Sequence, residues 1–325
     1  MAPAMSNADP HPPGPICVAA LYRFARLDRC EDLRATLQDL CDARGIRDTL
    51  LLACEGINGT IAGAPDSIAH AIDHIRALPD CAELDVKLSA AATMPFERMK
   101  VRVKAEIVTM GEPGIDPRVA AGTYVAPQDW NALIADPDTV VIDTRNDYEV
   151  AIGSFEGAID PATRSFREFP AWFRARREEL LGAGRQPRVA MFCTGGIRCE
   201  KSTAFLKEEG VEQVYHLKGG ILAYLEAVPE RDSRWQGECY VFDQRVAIGH
   251  GLAPGSHEAC AACGRPVSAQ GAADALFEAG VSCAACHGER SEEQRDVLRE
   301  RRRQAALATA ASARPRNRGT GAKPR

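Results

Sequence analysis

Cysteine, glycine and arginine fall together in Phe192-Cys193-Thr194-Gly195-Gly196-Ile197-Arg198-Cys199. Two glycines let a short loop curl so that successive backbone N–H groups turn inward, toward the Cys193 sulfur. A helix starting near Glu200 adds the positive end of its dipole, and Arg198 at the rim adds a fixed charge. Such surroundings lower a thiol pKa and favour a thiolate or persulfide, so Cys193 and Arg198 read as the catalytic pair. Cys199 stands either as a resolving thiol for an oxidised Cys193 or, the preferred reading, as a buried residue of the first helical turn. A second constellation is Cys260-x2-Cys263, nineteen residues, then Cys283-x2-Cys286. This is the spacing of a zinc-ribbon-like site, with Gly264 suited to the tight turn after the first pair. Four cysteines fill a tetrahedral sphere, so the metal expected is a structural zinc; free thiols or a metal-free cluster are the alternative. His287 reads as a neighbour of the cluster, not a ligand.

The elements that must position these groups can be read from hydrophobic spacing. Residues 16–22 suit a buried strand, and Leu33, Leu37 and Leu40 predict a helix over 31–44 with Gly45 as its stop. A strand over 49–53 and another through Ile61 are expected to meet at a turn marked by Asn58-Gly59. Ile68, Ile72 and Ile75 predict a helix over 65–78, and 82–88 alternates like a strand. The order β-α-β-β-α-β is the ferredoxin-like arrangement. Residues 100–108 alternate basic and apolar, giving a strand with one positive face that is either solvated or set against a phosphate backbone. After the Gly/Pro linker at 111–117, strands over 139–142, 188–192 and 213–216 alternate with helices over 127–134, 169–181, 200–209 and 220–225, as in a parallel α/β sheet. Trp130, Trp172 and Trp235 read as packing anchors. His70 and His74 lie one turn apart without a third ligand and read as surface histidines. Arg164, Arg167, Arg174, Arg176 and Arg177 form a basic run, more simply a solvated helix face than an RNA contact.

These motifs carry a family resemblance. Val140-Val141-Ile142-Asp143-Thr144-Arg145-Asn146-Asp147-Tyr148-Glu149 resembles the first rhodanese signature, Cys193 to Arg198 the active loop, and His216-Leu217-Lys218-Gly219-Gly220-Ile221 the closing segment. Cys-x4-Arg is the sulfur-handling loop length, whereas phosphatases usually need Cys-x5-Arg to surround a phosphate. Gly153-Ser154 departs from the Gly-His of many rhodaneses, at a position that is structural there. Four further stretches narrow the match: Glu55-Gly56-Ile57-Asn58-Gly59-Thr60, Lys104-Ala105-Glu106-Ile107-Val108, the run from Cys193 to Ser202, and Gly237-Glu238-Cys239-Tyr240-Val241-Phe242-Asp243. Together they are similar to the oxygen-dependent tRNA uridine hydroxylase family over residues 15 to 290. The resemblance implies formation of 5-hydroxyuridine at wobble position 34, with molecular oxygen as co-substrate, tRNA as partner and Cys193 as a persulfide-type catalytic cysteine.

The 325 residues, 45% hydrophobic and 26% charged, supply cores for two or three domains. The expected order is a disordered segment 1–14, a ferredoxin-like domain 15–112, a rhodanese-like parallel α/β domain 113–232, a Cys-rich zinc-ribbon-like segment 233–290, and a tail 291–325 that opens on a charged helix and is basic and disordered. No apolar run of about 18 residues predicts a membrane span. The start of the chain lacks the basic and apolar regions of a secretory signal, so a cytoplasmic protein is expected, and twelve cysteines then call for metal binding, reactivity or burial rather than disulfides. From Arg290 onward eleven Lys and Arg stand against four Asp and Glu, on a chain of net charge -5. A basic end on an acidic body suits a polyanion such as RNA, or simply a solvated tail. No G-x-G-x-x-G follows a strand, so no nucleotide cofactor is expected. Two other readings remain at this point. One is a persulfide sulfurtransferase taking sulfur from thiosulfate or a sulfur-donor protein. The other is a non-catalytic RNA-binding zinc protein, against which the intact Cys193 and Arg198 count. Oligomeric state and the choice of tRNAs do not follow from the sequence.

Overall fold

The structure is a computed structural model and describes residues 15–112, 114–182, 186–243 and 245–312. The segment 1–14 and the far end of the basic tail, both expected to be disordered, lie outside the described residues. The contact pattern gathers the residues up to Val150 with Ser154–Gln236 in one compact unit, and Ala151–Gly153 with the residues from Gly237 on in a second.

The first unit opens with β1 (Ile16–Phe24), α1 (Cys30–Ala43), β2 (Arg47–Ala53), β3 (Gly56–Gly63), α2 (Pro65–Arg76), β4 (Asp85–Ala91) and β5 (Met99–Val103). The sheet runs β4-β1-β3-β2-β5, the ferredoxin-like order extended by β5, which pairs parallel to β2. Its core forms where the helical stripes meet the buried alternation of the strands: Leu37 and Cys41 of α1 and Ile68, Ile72 and Ile75 of α2 pack on Leu21, Leu50, Leu52, Ile57 and Ile61. Each such Leu or Ile taken from water stabilises by roughly 1.5–3 kcal/mol.

Two local expectations need correction here. Asn58-Gly59 is not a turn: both lie inside β3, and the reversal falls at Cys54-Glu55. A Cβ on Gly59 would meet the Thr49 carbonyl at 2.1 Å, so this glycine serves a close strand approach. Asn58 spends its side chain on the Ile107 carbonyl, 2.8 Å away. The basic strand also ends early, at Val103, because Glu106 folds back to accept the Met110 and Gly111 N–H groups.

Next come α3 (Pro117–Ala120), β6 (Thr123–Val125), α4 (Pro127–Ile134), β7 (Thr139–Asp143), α5 (Asp147–Val150), β8 (Gly153–Phe155), α6 (Phe169–Leu181), β9 (Arg188–Phe192), α7 (Ile197–Glu208), β10 (Val214–Leu217) and α8 (Gly220–Ala227). The strands β6-β10-β9-β7 form a parallel sheet. Trp130, Phe155, Phe192, Tyr224 and Trp235 pack as mostly edge-on rings beside β9 and hold the base of the Cys193 loop rigid. Helix α7 begins at Ile197, three residues before the start read from Glu200, so Arg198 and Cys199 belong to its first turn.

In the second unit, Cys239–Tyr240 pairs with Ala247–Ile248 and Glu258–Ala259 with Pro266–Val267. Three helices follow, Ala269–Ala272, Ala284–His287 and Glu292–Ser312. The last is the charged helix with which the tail was expected to open, here reaching Ser312. Arg299 pairs with Glu292 and Asp296, and Arg303 with Glu300, contacts one helical turn or two apart that support a polar helix. Among the described residues no helix is long and apolar enough to cross a membrane.

Candidate functional site

Cys193 follows the last residue of β9, at the carboxyl edge of the parallel sheet, where such folds hold their ligands. Its side chain is buried, and the Gly196 N–H donates to Sγ at 3.1 Å. Gly196 has φ +112, a conformation that side-chained residues rarely adopt. At Gly195 an added Cβ would meet nothing within 4 Å, so the loop is open on that side. The loop is clamped from below by α8: Ile221 and Leu222 N–H groups donate to the Cys193 and Thr194 carbonyls at 3.0 and 3.1 Å. A Cβ on Gly220 would lie 2.5 Å from both carbonyls, which makes glycine obligatory there.

Arg198 sits beside the sulfur, buried, and forks onto Glu149: Nη1 to Oε2 at 2.7 Å and Nη2 to Oε1 at 2.8 Å. Thr194 Oγ1 donates to the same Glu149 at 3.3 Å. Glu149 is itself placed by Arg145, which donates to the Glu149 carbonyl, pairs with Asp143 at 2.6 Å and packs over the Trp235 ring. Ser154 Oγ completes this chain by donating to Asp143 at 2.8 Å. Burial alone would push the Cys193 thiol up, but the Cys199 hydrogen bond, the Arg198 charge and the backbone N–H groups of Cys199 and Gly196 outweigh it, leaving the pKa well below that of an ordinary thiol. Cys199, fully buried beside that thiolate and 3.6 Å from Thr144 Oγ1, is pushed up by desolvation and by Cys193. It is the proton-bearing partner of the pair.

The structure brings the N-terminal sheet onto this loop. The Tyr22 hydroxyl from β1 donates to Glu200 Oε1 at 2.8 Å, and Lys87 of β4 donates to the Gly219 carbonyl. Lys201, 1% exposed, reaches Glu55 at 2.7 Å and Glu106 at 2.6 Å. Sequence reasoning gave none of these partners a role, although Glu55, Glu106, Glu200 and Lys201 all stand in the motif stretches.

The other four predicted residues converge as well. The Cys260, Cys263, Cys283 and Cys286 sulfurs all lie within 4.8 Å of one another, with Cys263 and Cys286 each 3.8 Å from Cys283. Four thiolates at about 2.3 Å from a tetrahedral zinc are about 3.8 Å apart, so the donor set fits a metal of that kind. The knuckle turns are closed by Gly264 N–H to the Cys260 carbonyl at 2.7 Å and Cys286 N–H to the Cys283 carbonyl at 3.0 Å. His287 is not among the grouped ligands, and neither His70 nor His74 joins a metal-binding group among the described residues.

A thiolate held by the Gly196 and Cys199 backbone N–H groups, at the end of a parallel strand and with its arginine five residues on, defines a rhodanese-type sulfur loop. Residues 126–227 match the rhodanese-like domain family, and residues 16–107 match the UPF0176 acylphosphatase like domain. A tRNA uridine(34) hydroxylase of Gluconobacter oxydans is 62% identical over 91% of this chain and 95% of its own. Proteins of the same name from Mesorhizobium japonicum and Brucella anthropi are 60% and 59% identical, over 94% and 90% of this chain and 97% and 95% of theirs. The chain belongs to the tRNA uridine(34) hydroxylase family.

Proposed function

We propose that this enzyme replaces C5–H of uridine 34 in tRNA by C5–OH, with molecular oxygen as co-substrate and the Cys193 sulfur as the reacting nucleophile. The observation that carries the reading is the depressed Cys193 thiol in its loop, in a chain about 60% identical along most of its length to proteins named for that reaction. C5 of uracil becomes electron-rich when a nucleophile adds at C6, and a thiolate held ready at neutral pH is suited to that addition. Arg198 supports the sulfur by charge; Glu149 fixes its guanidinium and keeps it from swinging away. The four-cysteine cluster would hold a structural zinc, whose contribution is to fold a short polar segment. tRNA is the macromolecular substrate, and the cytoplasm, where tRNA is modified and thiols stay reduced, is the compartment that fits.

Sulfur transfer from a donor protein or thiosulfate is the second reading, favoured by the Cys-x4-Arg loop length. Nucleoside mass spectrometry separates the two. Cells lacking the gene should lose 5-hydroxyuridine at position 34, the intact gene should restore it, and Cys193→Ser should not. Loss of a thiolated base instead would transfer the assignment to the sulfurtransferase.

A further inference from the structure

The buried carboxylates Asp143 and Glu149 face Arg145 and Arg198, and the half-buried Glu55 and Glu106 share Lys201. Glu200 is different. It lies one turn into α7, 8% exposed, and the groups that hydrogen-bond its carboxyl are the hydroxyls of Tyr22 and Tyr124. Tyr22 comes from the N-terminal sheet, with its hydroxyl against Gly196 of the sulfur loop. A Cβ on Gly196 would lie 2.8 Å from that oxygen, and the Gly196 N–H is the group that holds the Cys193 sulfur. Beside it, Gly195 faces open space. A flat base lying on this loop would therefore have the sulfur below it and a phenol hydroxyl at its edge.

We propose that Tyr22 is a catalytic hydroxyl of this site, giving its proton to O4 of the uracil ring as Cys193 adds to C6, and that Glu200 is the positioning residue that resupplies it. The inference rests on the hydroxylase reading. In the step, a bond forms between Sγ and C6, and the C5=C6 electron pair moves through C4 onto O4. With Glu200 protonated, its hydrogen bond to Tyr22 runs from the carboxyl to the phenol oxygen; O4 takes the Tyr22 proton and the Tyr22 oxygen takes that of Glu200, which is left as the carboxylate that accepts from the Tyr22 hydroxyl. The product is a neutral enol with a nucleophilic C5, and no oxidant is consumed in forming it. A donor at a developing enolate is the place where proton transfer lowers a barrier most.

The electrostatics of the cluster suit the role. Desolvation pushes the Glu200 carboxyl up to about 7, against the two tyrosine hydroxyls and Arg23 of β1, which lower it; Asp85 of β4 raises it. Lys87, Lys218 and Glu83 act in turn on Asp85, and the Cys193 sulfur acts on Tyr22. Tyr22 is pushed well above an ordinary phenol by burial, Glu200 and Asp85, so it remains a donor. The sign follows: the relay is loaded while Glu200 is protonated and fails as pH rises through about 7.

The test uses the full-length protein and a tRNA bearing uridine 34, without oxygen and in D2O. Reversible addition lets C5 take a deuteron and lose its proton before the sulfur leaves, and nucleoside mass spectrometry reads deuterium at C5. Wild-type protein should exchange, with a rate falling about tenfold per pH unit above the Glu200 midpoint. Tyr22→Phe should lower kcat for exchange about 100-fold with KM little changed. Glu200→Gln, whose amide can hold the Tyr22 oxygen but has no proton to give it, should lower kcat for exchange and lose the alkaline limb, and Glu200→Leu should do the same. Exchange in Tyr22→Phe within twofold of wild type, or an unchanged limb in Glu200→Gln, overturns the relay. So does absence of exchange in wild-type protein that still makes 5-hydroxyuridine in cells. Exchange that survives Cys193→Ala sinks the nucleophile reading itself, a separate failure.

Discussion

Cys193 and Arg198 stood out in the sequence because most of what lowers the Cys193 thiol is local: a glycine amide, a helix start, an arginine and Cys199 within seven residues. What holds Arg198 was not legible. Its partner Glu149 lies 49 positions away, and a buried guanidinium against a buried carboxylate is a tertiary fact. This has a measurable consequence. Iodoacetamide alkylation of Cys193 should titrate with a midpoint well below that of an ordinary thiol, and Arg198→Met should move it up by removing the charge that favours thiolate. The same change removes the hydrogen-bonded counter-charge of Glu149, leaving only the more distant Arg145, and should cost about 3 kcal/mol in urea unfolding. The double variant Glu149→Leu with Arg198→Met should recover most of that stability, because two apolar groups replace a pair, while the thiol stays high. A double variant as unstable as the single one would mean that the pair does more than neutralise itself.

At the scale of elements, helices and strands with clean apolar periodicity were readable to within a few residues, as the stripes of α1, α2 and α6 show. The errors fall where one chain segment answers to another. Asn58-Gly59 has the composition of a turn, but the neighbouring β2 backbone needs a glycine there. Lys104 to Val108 alternates like a strand, yet Glu106 is drawn out of register by Lys201, 95 positions on. That lysine is the element-level clamp between α7 and the N-terminal sheet. Lys201→Met should therefore lose roughly 2–3 kcal/mol, less than a fully buried pair because Glu55 and Glu106 keep some contact with water. Urea titration at pH 7 measures the loss. As pH falls and Glu106 protonates, the difference from wild type should shrink, since the pairing with Lys201 that lowers the Glu106 carboxyl's pKa is then absent from both proteins. A variant equally destabilised at pH 4 would point to packing rather than charge.

The whole chain divides its stability between two kinds of core. The first unit buries long apolar stripes against two sheets, which is why its strands and helices could be found from periodicity alone. In the second, apart from the buried strand pair around Tyr240 and Ile248, the cluster of Cys260, Cys263, Cys283 and Cys286 packs with Val267 and the partly buried Ala262 and Phe277. So small a core stabilises little by burial, and cross-linking by metal is the available substitute. The cysteine spacing revealed that substitute, and the charged helix expected to open the tail is Glu292–Ser312, held by charge pairs along its length and by Arg299 to Glu278. Protein purified in reducing buffer should carry about one zinc per chain, and Cys263→Ser should lose it. Removing the metal with a strong chelator should collapse hydrogen-exchange protection at the Gly264 and Cys286 amides, which close the two knuckles. The amides of β9 and α7, held by the parallel sheet and its apolar core, should keep theirs. Protection at Gly264 that survives complete demetallation would show that hydrogen bonds and the small apolar core suffice, and would remove the structural role assigned to zinc.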